Sequence, residues 1–265
     1  MKYLSTLLLL VTTSLIFSQN KVLKVEYAEI VTYIPEIVNN EKGILYVQNS
    51  EAFYKTIFDF SINNQIKDDE ETLVVPVKEQ DYFNEVYTDL IKRTLYENIF
   101  EKYALKKYYS IQENMPVFNW QLVNETKKIN NYTCKKATLN FRGRNYIAWY
   151  TEDIPVALGP WKFSGLPGLI LEIVDKQGIY KWYAKEIHYP YSKTFDFTAV
   201  KTKMQKFNQV SYKDFNLLVI DGLKNKYEGM KARQSSRSSK FSYGFSTDQW
   251  KEATNEYRTQ MHYKF

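Results

Sequence analysis

The middle of the chain alternates apolar and polar residues with period two and is broken only by short turns. The pattern predicts strands over Trp120–Ile129, Tyr132–Phe141 and Asn145–Tyr150, and a hairpin of Leu169–Val174 and Ile179–Ile187. Consecutive strands joined by tight turns pair side by side and run antiparallel. This segment therefore constrains the chain to build an antiparallel sheet.

Turn residues, and a shift of the apolar residues from one side of a strand to the other, support this prediction. Asn130-Asn131 and Arg142-Gly143-Arg144 offer residues that tolerate positive φ in hairpin turns. Cys134 lies on one side of its strand, whereas Ala137 and the apolar residues that follow it alternate on the other. The slip indicates a β-bulge near Lys135-Lys136.

Other segments complete a mainly β prediction with a few helices. Further strands are expected over Val22–Tyr33, Gly43–Gln48, Ala52–Phe60, Leu73–Val77, Val86–Phe100 and Ala104–Ile111, with a helix over 84–100 as an alternative. Ile179–Ile187 is apolar on both sides, so we expect cover on the second face of the sheet. The expected fold is a curved antiparallel sheet or half-open barrel with C-terminal helices packed on it.

The helices are expected in the last third of the chain. One begins at Ser211 and carries an apolar stripe, and another begins at Ser246 with a capping box. The stripe of the first helix consists of Phe215, Leu218, Val219, Leu223 and Tyr227. Between the two helices, residues 231–239 are expected to form a polar surface loop.

The N-terminus has the layout of a cleavable export signal. Lys2 precedes the uncharged run Leu4–Phe17, and the small residue Ser18 follows. The run is shorter than the roughly 20 apolar residues that a membrane-spanning helix needs. We expect residues 1–18 to be removed, with an uncleaved anchor as the alternative. Residues 19–265 would form a single domain in the periplasm, at the outer membrane or outside the cell, with no further membrane span.

Composition narrows the classes of site. The only cysteine, Cys134, excludes an intrachain disulfide and a cysteine zinc site, and two histidines exclude a three-histidine metal site. No phosphate loop or dinucleotide motif is present. The net charge of +6 is spread along the chain, which suits contact with anionic surfaces. We therefore predict no cofactor, metal, nucleic-acid partner or catalytic residue.

Three residues with reactive side chains are interpreted as structural. His188 ends a strand, Glu172 points outward from one, and Cys134 is a small buried hydrophobe. A triad assembled around His188 or His262 remains an open alternative.

The segment Ile154–Leu171 is stiffened by prolines and glycines and carries the strongest functional signal. Its core is Gly165-Leu166-Pro167-Gly168, where Pro167-Gly168 predicts a type II turn with positive φ at Gly168. The loop is either a rigid lid on the core or the rim of a ligand pocket. In the second case, basic and aromatic side chains would bind a carboxylate or phosphate there. The candidate binding residues are Arg142, Arg144, Trp149, Trp161 and Lys162.

These residues resemble the GLPGLI family of exported Bacteroidetes proteins. The resemblance runs from about Trp120 to Asp175 and includes Gly165-Leu166-Pro167-Gly168-Leu169-Ile170, Phe141-Arg142-Gly143-Arg144 and Gly159-Pro160-Trp161-Lys162-Phe163. It implies an exported envelope protein and assigns no catalytic residues. The strand order also resembles lipoprotein carriers, which implies a half-open barrel with an apolar concave face.

Three functions follow from these observations. The first is a periplasmic module that carries a lipid or another apolar or amphiphilic ligand in the concavity. The second is an accessory protein that binds an outer-membrane transport or secretion machine through its sheet edge or stiff loop. The third is a hydrolase with an assembled triad.

Overall fold

A computed structural model describes residues 21–34, 37–57, 84–101, 105 and 107–234 of the 265-residue chain. The predicted export signal, the strand Leu73–Val77, the helix that begins at Ser246 and His262 lie outside the described residues.

The described residues form twelve strands and two helices. The strands are β1 (Val22–Ile34), β2 (Ile37–Gln48), β3 (Glu51–Ile57), β4 (Asn84–Asp89), β5 (Thr94–Glu101), β6 (Lys107–Asn114), β7 (Gln121–Ile129), β8 (Tyr132–Phe141), β9 (Arg144–Thr151), β10 (Leu169–Asp175), β11 (Tyr180–Tyr191) and β12 (Asn208–Ser211). The helices are α1 (Phe197–Met204) and α2 (Tyr212–Gln234). The predicted mainly β fold with an open, curved sheet is confirmed.

All twelve strands belong to one sheet made of two antiparallel meanders. The order is β12-β6-β5-β4-β3-β2-β1-β11-β10-β9-β8-β7, so β1 and β11 join the meanders at the centre. Strand β12 pairs in parallel with β6 and ends one edge, and β7 ends the other. Within β1–β6 and within β7–β11, strands that follow one another in sequence pair directly, whereas the consecutive strands β6 and β7 lie at opposite ends of the sheet.

The two faces of the sheet have different cover. Residues 154–168 lie against the inner face, where apolar side chains of both meanders form one continuous core. On the outer face, α1 buries Phe197 and Met204 against a cross-strand row of aromatic rings. That row is Tyr46, Phe53, Tyr87 and Tyr96. Cover on a second face is thus confirmed for β2–β5, whereas Tyr183 on β11 stays half-buried.

One long predicted strand is in fact a hairpin. Val86–Phe100 divides into β4 and β5 around a turn at residues 90–93, so the single strand and the alternative helix were both wrong. The Asp89 carboxylate accepts the backbone N–H groups of Ile91 and Lys92, at 3.1 and 2.9 Å. An aspartate that bonds its own following backbone favours a turn over a continuous strand.

The irregularity predicted at Lys135-Lys136 of β8 is present, but the extra residues belong to the neighbouring strand β7. Val123 pairs with Lys136 and Thr126 with Lys135, so β7 carries the two extra residues. Both Cys134 and Ala137 are buried on β8.

Helix α2 begins where the sequence predicts. The Ser211 hydroxyl oxygen accepts the backbone N–H of Asp214 at 3.0 Å, which satisfies one free donor of the first turn. Val219 and Leu223 of the predicted stripe are buried together with Ile220, whereas Leu218 is 41% exposed. Residues 231–234 continue the helix where a loop was expected, and α1 and β12 were not predicted.

The predicted type II turn at Pro167-Gly168 is wrong. Positive φ occurs at Gly165, at 91°, and Gly168 is not among the residues with positive φ. Instead, the Gly168 N–H donates to the Leu166 carbonyl at 2.8 Å. A Cβ atom at Gly168 would lie 2.0 Å from the Thr151 backbone oxygen. Glycine is needed here because two backbone segments meet, not because of its own dihedral angles.

We expect Gly168→Ala to lower the melting temperature more than Gly178→Ala. Gly178 has a positive φ of 75°, but an added Cβ would meet only the end of the Lys181 side chain. Its replacement should therefore cost about 1 kcal/mol, whereas the Gly168 variant must also move backbone. Thermal unfolding of both variants measures the difference, and equal losses would contradict the close-contact explanation.

Candidate functional site

The lid loop, residues 154–168, is held to the start of β10 by backbone hydrogen bonds. The N–H of Gly159 donates to the Phe163 carbonyl at 2.8 Å, and that of Gly165 to the Ala157 carbonyl at 3.0 Å. The N–H of Ile170 in turn donates to the Leu158 carbonyl at 3.0 Å. The loop therefore has a fixed internal structure.

Aromatic packing places the lid loop in the core of the inner face. Trp161 stacks on Trp182 of β11, with ring centroids 6.4 Å apart and planes 3° from parallel. Phe163 packs edge-on against Tyr146 of β9 at 4.9 Å. Trp120, which directly precedes β7, donates its indole N–H to the Ser164 carbonyl at 2.8 Å. The loop fills this part of the concavity with its own side chains.

A buried cluster of charged residues fixes the lid loop to the opposite meander. The Trp161 indole N–H donates to Glu97 Oε1 at 3.0 Å. Lys162 Nζ lies 2.7 Å from Glu97 Oε2 and 2.7 Å from Glu113 Oε1, and Arg142 binds the other oxygen of Glu113. Two cations thus balance two carboxylates, which is the condition under which buried charges are tolerated. These five residues are called the lid cluster below.

Helix α2 adds an aromatic ring to the lid cluster. The ring centroid of Tyr212, the first residue of α2, lies 3.8 Å from the Arg142 guanidinium carbon and 5.9 Å from Lys162 Nζ. A cation beside a ring face is attracted by the ring quadrupole. The lid loop, the β8–β9 turn and α2 are therefore held at one point.

The five candidate binding residues do not all come together. Arg142, Trp161 and Lys162 converge in the lid cluster, but they face inward and bind other residues of this chain. Arg144 is 1% exposed, and its guanidinium lies 2.9 Å from Asp175 Oδ2. Trp149 lies on the outer face, where Lys127 Nζ is 4.4 Å from its ring centroid. The structure thus brings three of the five candidates together and places Arg144 and Trp149 elsewhere.

Glutamates on two distant strands complete the site, and sequence reasoning missed them. Glu97 and Glu113 occupy inward positions of β5 and β6, next to apolar inward residues such as Leu95 and Ile111. An acidic residue at an inward strand position is the signal that could have found them. Their pairing with Lys162 depends on contacts across the concavity, which one sequence does not reveal.

Another buried carboxylate lies elsewhere on the inner face. Glu29 of β1 is 0% exposed and accepts hydrogen bonds from the Tyr54 hydroxyl at 2.9 Å and the Thr56 hydroxyl at 2.8 Å. Burial, and then the negative charge of Glu29, raises the pKa of Tyr54 well above its usual value. This tyrosine is therefore a fixed hydrogen-bond donor at neutral pH.

Glu172, His188 and Cys134, the three residues with reactive side chains, have the following surroundings. Glu172 pairs with Lys127 at 2.7 Å, and His188 is exposed, with Nε2 3.6 Å from a Glu186 oxygen. Cys134 is 0% exposed, and burial raises the pKa of its thiol to about 11. Within the described ranges, no three metal-ligating side chains are grouped to hold an ion. No helix among them is long and apolar enough to cross a bilayer.

We expect Lys162→Met to destabilise the protein by about 3–5 kcal/mol, because it leaves two buried carboxylates with one cation. The loss should grow as the pH rises, since the uncompensated carboxylates are favoured only when protonated. Chemical unfolding at pH 5 and pH 8 measures both effects. Lys135→Met is the control, because its partner Glu152 is on the surface, and its midpoint should stay near wild type. A Lys162 variant as stable as the control would show that the lid cluster does not hold the loop.

We expect Cys134 to resist alkylation in the folded protein. With a thiol pKa of about 11, roughly one molecule in a thousand carries the reactive thiolate at pH 8. Iodoacetamide labelling followed by intact mass should show little modification at pH 8 and full modification in urea. Equal labelling in both conditions would contradict a buried, structural role.

Comparisons with known proteins place the chain in a family. A comparison with curated proteins gives no match. Three solved structures show weak similarity. PNGF-II shares 17% sequence identity with this chain at a TM-score of 0.48. An uncharacterized conserved protein from Thermus thermophilus and a domain described as an outer-membrane lipoprotein-sorting protein from Vibrio parahaemolyticus each share 8% sequence identity, at TM-scores of 0.38 and 0.32. The aligned regions cover 75%, 73% and 70% of this chain, respectively.

The same alignments cover 32%, 91% and 92% of the three solved chains, so this protein spans about a third of the length of PNGF-II. A family profile, the N-terminal domain of the PNGase F-II type N-glycanase peptide, matches residues 56–214. Because this match covers more than half of the sequence, the protein belongs to the N-glycanase peptide N-terminal domain family.

Proposed function

We propose that this protein is an exported accessory module that binds another protein through the β7 edge of its sheet. The observation that carries the proposal is the lid loop, which occupies the inner face with its own side chains. Trp161 and Lys162 are 3% and 4% exposed, so the basic and aromatic groups expected at a ligand rim are used internally. A binding surface is therefore more readily found outside the concavity.

The β7 edge has the properties of a surface for strand addition. Among the described strands, β7 is the last in the sheet order, with β8 as its neighbour on one side. An edge strand presents backbone N–H and C=O groups that an extended segment of another protein can pair with. The side chains of Leu122 on β7 and of Val117 just before it are 64% and 76% exposed. These apolar groups offer contacts for alternate side chains of an added strand.

Charge on β7 indicates the nature of the partner. Lys127 and Lys128 follow the bulge, and the whole chain has a net charge of +6. Lys127 is paired with Glu172, whereas Lys128 is exposed. A partner segment with acidic residues would be attracted to this edge and would associate faster at low ionic strength.

Family membership is consistent with an accessory role. The matched region is the N-terminal domain of a protein named as an N-glycanase peptide. We infer from this name that the domain of this chain supports the function of another protein. Export is proposed from the layout of residues 1–18, and the GLPGLI resemblance agrees with an envelope or extracellular location.

A carrier function is the second candidate. The inner face is apolar across both meanders, and Leu45, Val86 and Ala148 belong to the same core. A ligand would have to displace the lid loop from that core. The energetic cost of separating the lid cluster makes this function less favoured than binding at the edge.

We expect Leu122→Lys to abolish partner binding without loss of stability, because the side chain is largely exposed. Ile91→Lys is the matched control: it also replaces an exposed apolar residue, 78% accessible, but in the turn between β4 and β5. Chemical cross-linking of each tagged protein in its own envelope fraction, followed by mass spectrometry, measures capture.

A partner that the Ile91 variant retains and the Leu122 variant loses supports binding at the β7 edge. Equal capture by both variants contradicts it. Native mass spectrometry of the purified protein is the independent check, and a bound lipid without a protein partner would establish the carrier function instead.

A further inference from the structure

A polar row crosses the outer face beneath the C-terminal end of α1. Cross-strand pairing places five polar side chains next to one another on successive strands β3, β4, β5, β6 and β12. They are Lys55, Glu85, Asn98, Ser110 and Gln209. This polar row lies on the opposite face of the sheet from the lid cluster, and Asn98 shares its side with Tyr96 of the α1 contact.

Two members of the polar row are buried and unpaired. Asn98 and Ser110 are both 0% exposed. In the part of the chain that the structure describes, neither atom of the Asn98 amide nor the Ser110 hydroxyl oxygen has a hydrogen-bond partner. Folded proteins pair the large majority of such groups, because an unsatisfied buried group is costly. The fold thus retains two donor groups, the Asn98 NH₂ and the Ser110 hydroxyl, and two acceptor oxygens that it does not use itself.

The buried charge beside Asn98 is the Glu85 carboxylate, which two surface lysines compensate. Glu85 Oε1 lies 2.7 Å from Lys203 Nζ of α1 and 3.8 Å from Lys55 Nζ. On the other side are the rings of Phe100, Tyr108 and Phe207, with centroid separations of 4.8 and 5.5 Å between successive rings. A buried carboxylate on one side and an amide floor favour an uncharged polar group over an anion, because Glu85 would repel a second negative charge.

The segment that passes over the polar row is weakly hydrogen-bonded. It runs from Lys203, above Glu85, to Gln209, beside Ser110. The backbone bonds of its turn measure 3.3, 3.1 and 3.3 Å, longer than the usual 2.9–3.0 Å of N–H···O bonds. Lifting this turn breaks these three bonds together with the Lys203–Glu85 ion pair and the Phe207–Tyr108 ring contact.

We propose that Asn98 and Ser110 form a binding site for an uncharged carboxamide, which enters when this turn lifts. A carboxamide is the complement of Asn98, because each group supplies one donor and one acceptor in a plane and the two pair through two hydrogen bonds. Ser110 can bond the remaining lone pair or N–H. The amide belongs either to a small molecule or to an asparagine or glutamine side chain of a peptide. The site is separate from β7 and does not depend on the proposed edge function.

The direct test is a ¹H–¹⁵N NMR titration that follows the side-chain NH₂ signal of Asn98, assigned by its loss in Asn98→Leu. Acetamide is expected to shift this signal, and acetate, which has the same shape and a negative charge, is not. Exposed Asn145 provides an internal reference that should not move. Equal shifts with acetamide and acetate, or none with acetamide, would overturn the proposal.

N-acetyl-asparagine N′-methylamide distinguishes the two sources of the amide. A shift with this blocked residue as well as with acetamide assigns a peptide side chain. A shift with acetamide alone assigns a small-molecule ligand.

Thermal unfolding of three variants tests whether the unpaired groups serve binding rather than folding. We expect Asn98→Leu and Ser110→Ala to keep or raise the melting temperature, because they remove buried groups that lack partners. Asn216→Leu is the matched control, since this buried asparagine donates to the Tyr212 carbonyl at 2.7 Å, and its loss should lower the melting temperature. Asn98→Leu as destabilising as Asn216→Leu would show that Asn98 is structural, and would refute the site.

Discussion

The pairing of Lys162 with Glu97 and Glu113 is the interaction on which the arrangement of the sheet depends. The two meanders share strand hydrogen bonds only between β1 and β11 within the described sheet. The lid loop leaves the second meander between β9 and β10, crosses the inner face and binds β5 and β6 of the first. A buried lysine is tolerated only with compensating carboxylates, so the contact specifies one position of the loop.

This contact explains why the inner face is an unfavourable place for a large ligand. Trp161 and Phe163 occupy the volume above Trp182 and Tyr146, and their packing cannot be separated from the ion pairs beside them. The available interaction surface is therefore displaced to the sheet edge and to the outer face. There the cover is lighter, since α1 has eight residues and contacts the sheet mainly through Phe197 and Met204.

Buried polar groups on the two faces of the sheet differ in their hydrogen bonding. Arg144 is buried, but its guanidinium contacts Asp175 and Gln177, which holds the β10–β11 turn against β9. Asn98 and Ser110 are equally buried and lack such contacts among the residues that the structure describes. Burial alone does not separate a structural polar group from one that is kept for a ligand, whereas its hydrogen-bond partners do.

The sequence by itself determined the strands of the central segment, the capping of α2 at Ser211 and the burial of Cys134. These features follow from period-two alternation and from side chains that bond their own backbone, both of which are local. It located the lid loop but assigned the wrong reason to Gly168, because the contact with Thr151 involves a neighbouring segment. Only the tertiary structure decided that Arg142, Trp161 and Lys162 face two glutamates while Trp149 faces outward. That outcome depends on which strands approach across the concavity, and strand alternation carries no information about partners distant in the chain.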